Sequence, residues 1–102
     1  MIREEVEKLI ALGALPSEDM AEEGQLERYE RAFDAIRPPI AAEEAERLCG
    51  LFGQDDCYGL AWTLLHLIES APGWPIDSCL EKYEGEWIER LKLRVREKRD
   101  RI

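Results

Sequence analysis

A chain of 102 residues that is 45% hydrophobic and 36% charged holds enough apolar material for one core, and too much of it for disorder. Its net charge of −9 argues against direct nucleic-acid binding, which needs clustered Lys and Arg against phosphate, and favours basic partners instead. No run of about 18 apolar residues exists to cross a bilayer, the first residues lack the apolar stretch of a secretory signal, and three cysteines fit the reduced thiols of a cytoplasmic protein.

Ile2, Val6, Leu9 and Ile10 recur at helical spacing and predict a short first helix, with Glu4 and Lys8 paired one turn apart. Gly13 and Pro16 stop it. Ser17 is placed to cap a turn through Glu18, Asp19 and Met20, and Gly24 loosens the chain that follows. Leu26, Tyr29, Phe33 and Ile36 form the stripe of a second helix, ended by Pro38 and Pro39 because proline disfavours the helical conformation at the residue before it. A third helix from about Ala41 would bury Ala45, Leu48, Cys49 and Phe52, with Gly50 weakening its end and Gly53 as C-cap. Asp55 or Asp56 then caps a fourth helix, Cys57–Ala71, which stops at Pro72-Gly73-Trp74-Pro75. The last helix opens with Ser78 and Glu81 at capping-box spacing and carries Leu80, Tyr83, Trp87, Leu91 and Val95, with Gly85 as its weak point.

No segment alternates with a period of two, and Val and Thr are scarce, so no strand is expected. The expected fold is all-α: one domain over residues 1–102, a compact bundle or stack of about five helices, with the Cys57–Ala71 helix central. Charge is uneven along it. Residues 90–102 hold seven basic side chains against Glu97 and Asp100, a net +5, which leaves −14 for residues 1–89. The basic end (91–102) reads as cations complementing a helix C-terminus that frays, or as a tail that binds the acidic body of its own chain or of a second copy.

The fourth helix is almost wholly apolar. Leu60, Ala61, Leu64, Leu65, Leu67 and Ile68 cover more than a third of its circumference, and Tyr58, Trp62, Thr63, His66, Glu69 and Ser70 collect opposite. A surface helix would carry Lys and Glu there, so that second face should meet another helix or a partner. Tyr58, Trp62, His66 and Glu69 share one stripe, Trp74 follows in a loop between two prolines, and Asp55, Asp56, Glu69 and Asp77 supply an acidic rim. Tyr and Trp dominate interface hot spots, which makes Asp55, Asp56, Tyr58, Trp62, His66, Glu69 and Trp74 the candidate partner-binding set. In the competing reading Tyr58 and Trp62 lie under the last helix against Tyr83 and Trp87, and Trp74 folds back as a plug.

Catalytic signatures are missing. Cys49, Cys57, His66 and Cys79 are the right residue types for zinc, but their intervals lack the close paired spacing of zinc motifs, and core cysteines are the ordinary reading. Cys57 and His66 on one straight helix would sit about 13 Å apart along its axis, too far for a dyad. A histidine lodged between helices is expected instead. Paired carboxylates such as Glu22-Glu23 and Glu43-Glu44 read as solvated helix faces. Neither catalytic nor metal-binding residues are expected, nor a cofactor.

The block from Leu51 to Trp74 (LFGQDDCYGLAWTLLHLIESAPGW) resembles a segment of small acidic bacterial proteins, some of them immunity proteins that accompany polymorphic toxins and some with HEAT-like helical hairpins. The resemblance implies a HEAT-like stack and a protein that binds and blocks a partner without chemistry of its own. The expectation is therefore a cytoplasmic, immunity-type inhibitor that masks a basic toxin enzyme. The alternative is a self-associating structural or regulatory helical module, with homodimerisation through its amphipathic last helix.

Overall fold

The structure, a computed structural model, describes residues 2–100, with side chains described as far as Glu97. Six α-helices are found among the described residues, and no strand: α1 (Glu4–Ala11), α2 (Gln25–Asp34), α3 (Ala42–Leu48), α4 (Leu60–Glu69), α5 (Asp77–Lys82) and α6 (Glu86–Asp100). The all-α expectation holds, with α4 at the centre in contact with α2, α3 and α6. Leu60, Ala61, Leu64, Leu65, Leu67 and Ile68 are all buried, each large side chain contributing about 1.5–3 kcal/mol by leaving water. Around them α1 packs on α2 and α3, and α5 bridges α3 and α6.

Two expected helices have different ends. The last one is two: after Lys82 the chain becomes extended at Tyr83, and Gly85, at φ +125°, turns it into α6. An L side chain rarely adopts that φ, so the glycine predicted as a weak point is a hinge between two helices. Ser78 falls inside α5, behind Ile76 as the capping position, and no side chain caps that end. The central helix begins at Leu60, three residues later than expected. Cys57–Gly59 form a separate 3-10 turn, and Gly59 (φ 92°) is the residue that caps α4. Of the basic end, Lys98, Arg99 and Arg101 lie outside the described side chains.

Glu44 departs furthest from expectation. Paired in sequence with Glu43 and predicted to be solvated, it is 1% exposed. Burying a carboxylate costs several kcal/mol unless it is paired and hydrogen-bonded, and Glu44 is both. Arg3 donates to it from its backbone N–H at 3.1 Å, from Nε at 3.0 Å and from Nη2 at 3.1 Å, and the Ala41 N–H donates at 2.8 Å. The same guanidinium donates to the carbonyls of Arg37 (2.9 Å) and Pro39 (3.0 Å). Burial pushes the Glu44 carboxyl up, yet the hydrogen bonds from Ala41 and Arg3 and the Arg3 charge outweigh it, so its pKa lies below the usual carboxylate range. Its stabilisation is therefore present at neutral pH and is lost as pH falls through that depressed value.

Replacing Glu44 with Ala leaves Arg3 without its counter-charge and four donor contacts unmet. Urea unfolding of Glu44→Ala should show a loss of about 3 kcal/mol at pH 7, and a loss that shrinks as pH is lowered far enough to protonate the wild-type carboxyl.

Candidate functional site

The loop between α3 and α4 is held to the loop after α1 by two backbone contacts. Leu15 N–H donates to the Leu51 carbonyl at 2.8 Å. Two residues on, a Cβ at Gly53 would sit 2.1 Å from the Leu15 carbonyl oxygen. Gly53 is thus required for close backbone approach, where the sequence had suggested a helix C-cap. Tyr29 secures the other side: its buried hydroxyl lies within 3.0 Å of the carbonyls of Leu12, Gly13 and Ala14 and donates into them.

On this frame Asp55 organises the site. Its Oδ2 accepts the Glu18 N–H and its Oδ1 the Cys57 N–H, both at 2.9 Å, and its carbonyl accepts the Trp87 indole N–H at 3.1 Å. Asp55 therefore caps the turn before α4, in place of the helix itself. The turn is left-handed: Cys57 (φ 47°), Tyr58 (φ 54°) and Gly59 (φ 92°) follow one another. Two consecutive non-glycine residues there store about 1–3 kcal/mol of strain each. Glu18 holds Tyr58 at both ends, its carboxylate accepting the Tyr58 N–H at 3.1 Å and its carbonyl facing the Tyr58 hydroxyl at 3.4 Å. The ring nonetheless remains 62% exposed.

Carboxylate oxygens of Glu18, Asp55 and Asp56 lie within 4.8 Å of one another, the group of side chains among the described residues spaced closely enough to gather a cation. The Glu18 carboxyl is raised above its ordinary range, chiefly by the hydrogen bond it shares with Asp56, with burial and the charges of Asp56 and Asp55 adding and the Tyr58 N–H opposing. An open groove of about 470 Å³ runs beside the cluster, lined by Leu15, Met20, Phe52 and Gln54 among others.

The rest of the expected stripe has divided roles. Trp62 stands edge-on to Trp87 with ring centres 5.1 Å apart, and Trp87 stacks on Phe52 at 5.7 Å. The Arg90 guanidinium lies 5.5 Å from the Trp62 ring and 4.9 Å from that of Trp87, a cation–π pairing with both. Trp62 is thus part anchor and part surface, at 38% exposure. His66 is exposed, edge-on to Trp62 at 6.3 Å, and not lodged between helices as expected. Glu69 is engaged in a two-pronged pair with Arg94 at 2.7 and 2.9 Å and contributes no free charge to a rim. Trp74 is half-buried against the core, and Asp77 is exposed at the start of α5.

The structure brings Asp55, Asp56 and Tyr58 together, and places Trp62 and His66 along the adjoining face of α4. Glu18, which sequence reasoning left as a turn residue, joins them from a segment 37 residues from Asp55. No local spacing could have signalled that. Burial raises the Cys57 thiol, and the charges of Asp55, Glu18 and Asp56 raise it further, the reverse of what activates a nucleophile. Comparison of the chain with protein-family models, curated proteins and solved structures finds no match.

A carboxyl whose pKa is higher in the folded state binds its proton more tightly there, so its ionised form at neutral pH opposes folding, and stability is recovered as pH falls through the raised value. Glu18→Gln keeps an acceptor for the Tyr58 N–H and removes one charge. Thermal unfolding should show it more stable than wild type at pH 7, with the difference closing towards pH 4.

Proposed function

We propose that this protein is an acidic binding domain that masks the basic active-site cleft of a partner, an inhibitor of the immunity type directed at a toxin enzyme. The observation that carries the reading is Tyr58. It is presented to solvent by a strained left-handed backbone, beside the carboxylates of Glu18, Asp55 and Asp56. Strain of this kind persists only where the surroundings enforce it, and it clusters at functional sites. An exposed tyrosine offers large contact area at low entropic cost, and the carboxylates offer what a Lys or Arg of the partner would pair with. Trp62 and His66 extend the surface along α4. The net charge of −9 would speed encounter with a basic enzyme, and the aromatic side chains would slow release. Three free cysteines fit action in a reducing cytoplasm, and no helix among the described residues is long and apolar enough to cross a membrane.

A second reading, self-association as a structural or regulatory module, draws on α6. Leu93 is half-exposed on that helix, and Arg96 is exposed one turn nearer its basic end. Light scattering at low and high salt separates the two, since the inhibitor would be a monomer until it meets its enzyme.

The deciding experiment is stopped-flow association with basic, toxin-like enzymes encoded next to this protein. The expected outcome is a stoichiometric complex whose association rate falls at least about tenfold between low and high salt. Tyr58→Gly, whose backbone is at ease at φ 54°, should leave the unfolding temperature unchanged or higher while weakening the complex by about thirtyfold. Salt-independent association, or no complex with such enzymes, would count against the reading.

A further inference from the structure

We propose that Cys49 and Cys79 form a redox-modification site, a facing thiol pair that low-molecular-weight disulfides convert into a cystine joining the end of α3 to α5. All three cysteines are free and buried, but of these only Cys49 and Cys79 lie close enough for each thiol to act on the other's ionisation. Their juxtaposition is held from both sides. The Lys82 ammonium pairs with the Glu46 carboxylate at 3.7 Å, one turn along each helix from the sulfurs. The Tyr83 ring lies against Gly50, where a Cβ would come within 2.9 Å of it. The Glu46–Lys82 pair and the Tyr83 ring on Gly50 thus hold the end of α3 against α5 on either side of the two cysteines, the closeness that a sulfur–sulfur bond of about 2.05 Å requires.

Access to the pair comes from the weakness of α5. It is six residues long, has no side-chain cap, lies between the loops 70–76 and 83–85, and buries only Cys79 and Leu80 of its own residues. Elements held by so few buried side chains open at well below the global unfolding cost. In the closed state burial raises both thiols, Cys49 well above the ordinary cysteine range, so little thiolate exists and the pair is inert. When α5 swings out, Cys79 loses its proton to water and its thiolate attacks one sulfur of the small disulfide. That bond breaks, and the expelled thiolate takes up a proton. With α5 still displaced, Cys49 then gives up its proton and attacks the Cys79 sulfur, releasing the second small thiol. Two cysteine thiols lose two electrons and two protons, and one disulfide is reduced to two thiols.

The test uses the purified, fully reduced chain with millimolar oxidised glutathione, in buffer and in urea below the unfolding midpoint. Intact mass should fall by two hydrogens, peptide mapping should join residues 49 and 79 within one chain, and urea should accelerate the reaction. The oxidised form should unfold about 10 °C higher, because the crosslink closes residues 49–79 into a loop. Cys57→Ser should crosslink as wild type does, whereas Cys79→Ser should not. The wild-type measurement stands by itself should a variant fold poorly. Thiols that remain reduced even in urea, a cystine that includes Cys57, or a product that stops at glutathione adducts would each overturn the proposal.

Discussion

The pairing of Arg3 with Glu44 fixes the frame on which everything else is placed. A carboxylate so deeply buried is tolerable only with its donors in position, and the donors, with the carbonyls that hold the Arg3 guanidinium, come from three places. Arg3 immediately precedes α1, the Arg37 and Pro39 carbonyls lie in the proline loop after α2, and Ala41 is the residue that caps α3. One ion pair therefore fixes where α1 begins, how the proline loop closes and where α3 points. The end of α3 leads directly into the loop that carries Gly53, Asp55 and Tyr58, so the geometry of the candidate surface descends from a contact remote from it in sequence.

A second organiser acts at the surface itself. Asp55 uses both carboxylate oxygens and its carbonyl to tie together the loop after α1, the left-handed turn and α6. Through Trp87 that tie continues into the aromatic contacts with Phe52 and Trp62 and under the Arg90 guanidinium. Charges on this molecule fall into two kinds. Glu69 with Arg94, and Glu44 with Arg3, are committed to the fold. Glu18 is different: beside Asp56 and Asp55 its ionised form is disfavoured, and a proton shared with Asp56, or a neighbouring cation, relieves it.

How much of this could be read from residues alone follows from the range of each interaction. The core of α4 was legible because six apolar side chains at a period of 3.6 leave little else for that helix to do. Periodicity puts Tyr58 on the same stripe as Trp62 because it presumes helical backbone, and the left-handed turn at Cys57-Tyr58 breaks that presumption. The charged neighbours of Glu44 suggest solvation, and the arginine that compensates it lies 41 residues away. Glu18 escaped for the same reason. The break between α5 and α6 was half visible: Gly85 marked it, but the helical stripe from Leu80 to Val95 runs through it unbroken in sequence.

Gly53 has an evolutionary consequence. With the Leu15 carbonyl oxygen 2.1 Å from where a Cβ would stand, no L side chain fits at that position without moving the backbone of both loops. Its neighbour Gln54 is exposed, as is Tyr58 beyond it. Mutation can therefore rewrite the outward-facing letters of this segment while its spine is held still. Substitution at the exposed position 54 changes what the surface shows without touching the backbone, whereas any side chain at 53 would move both loops.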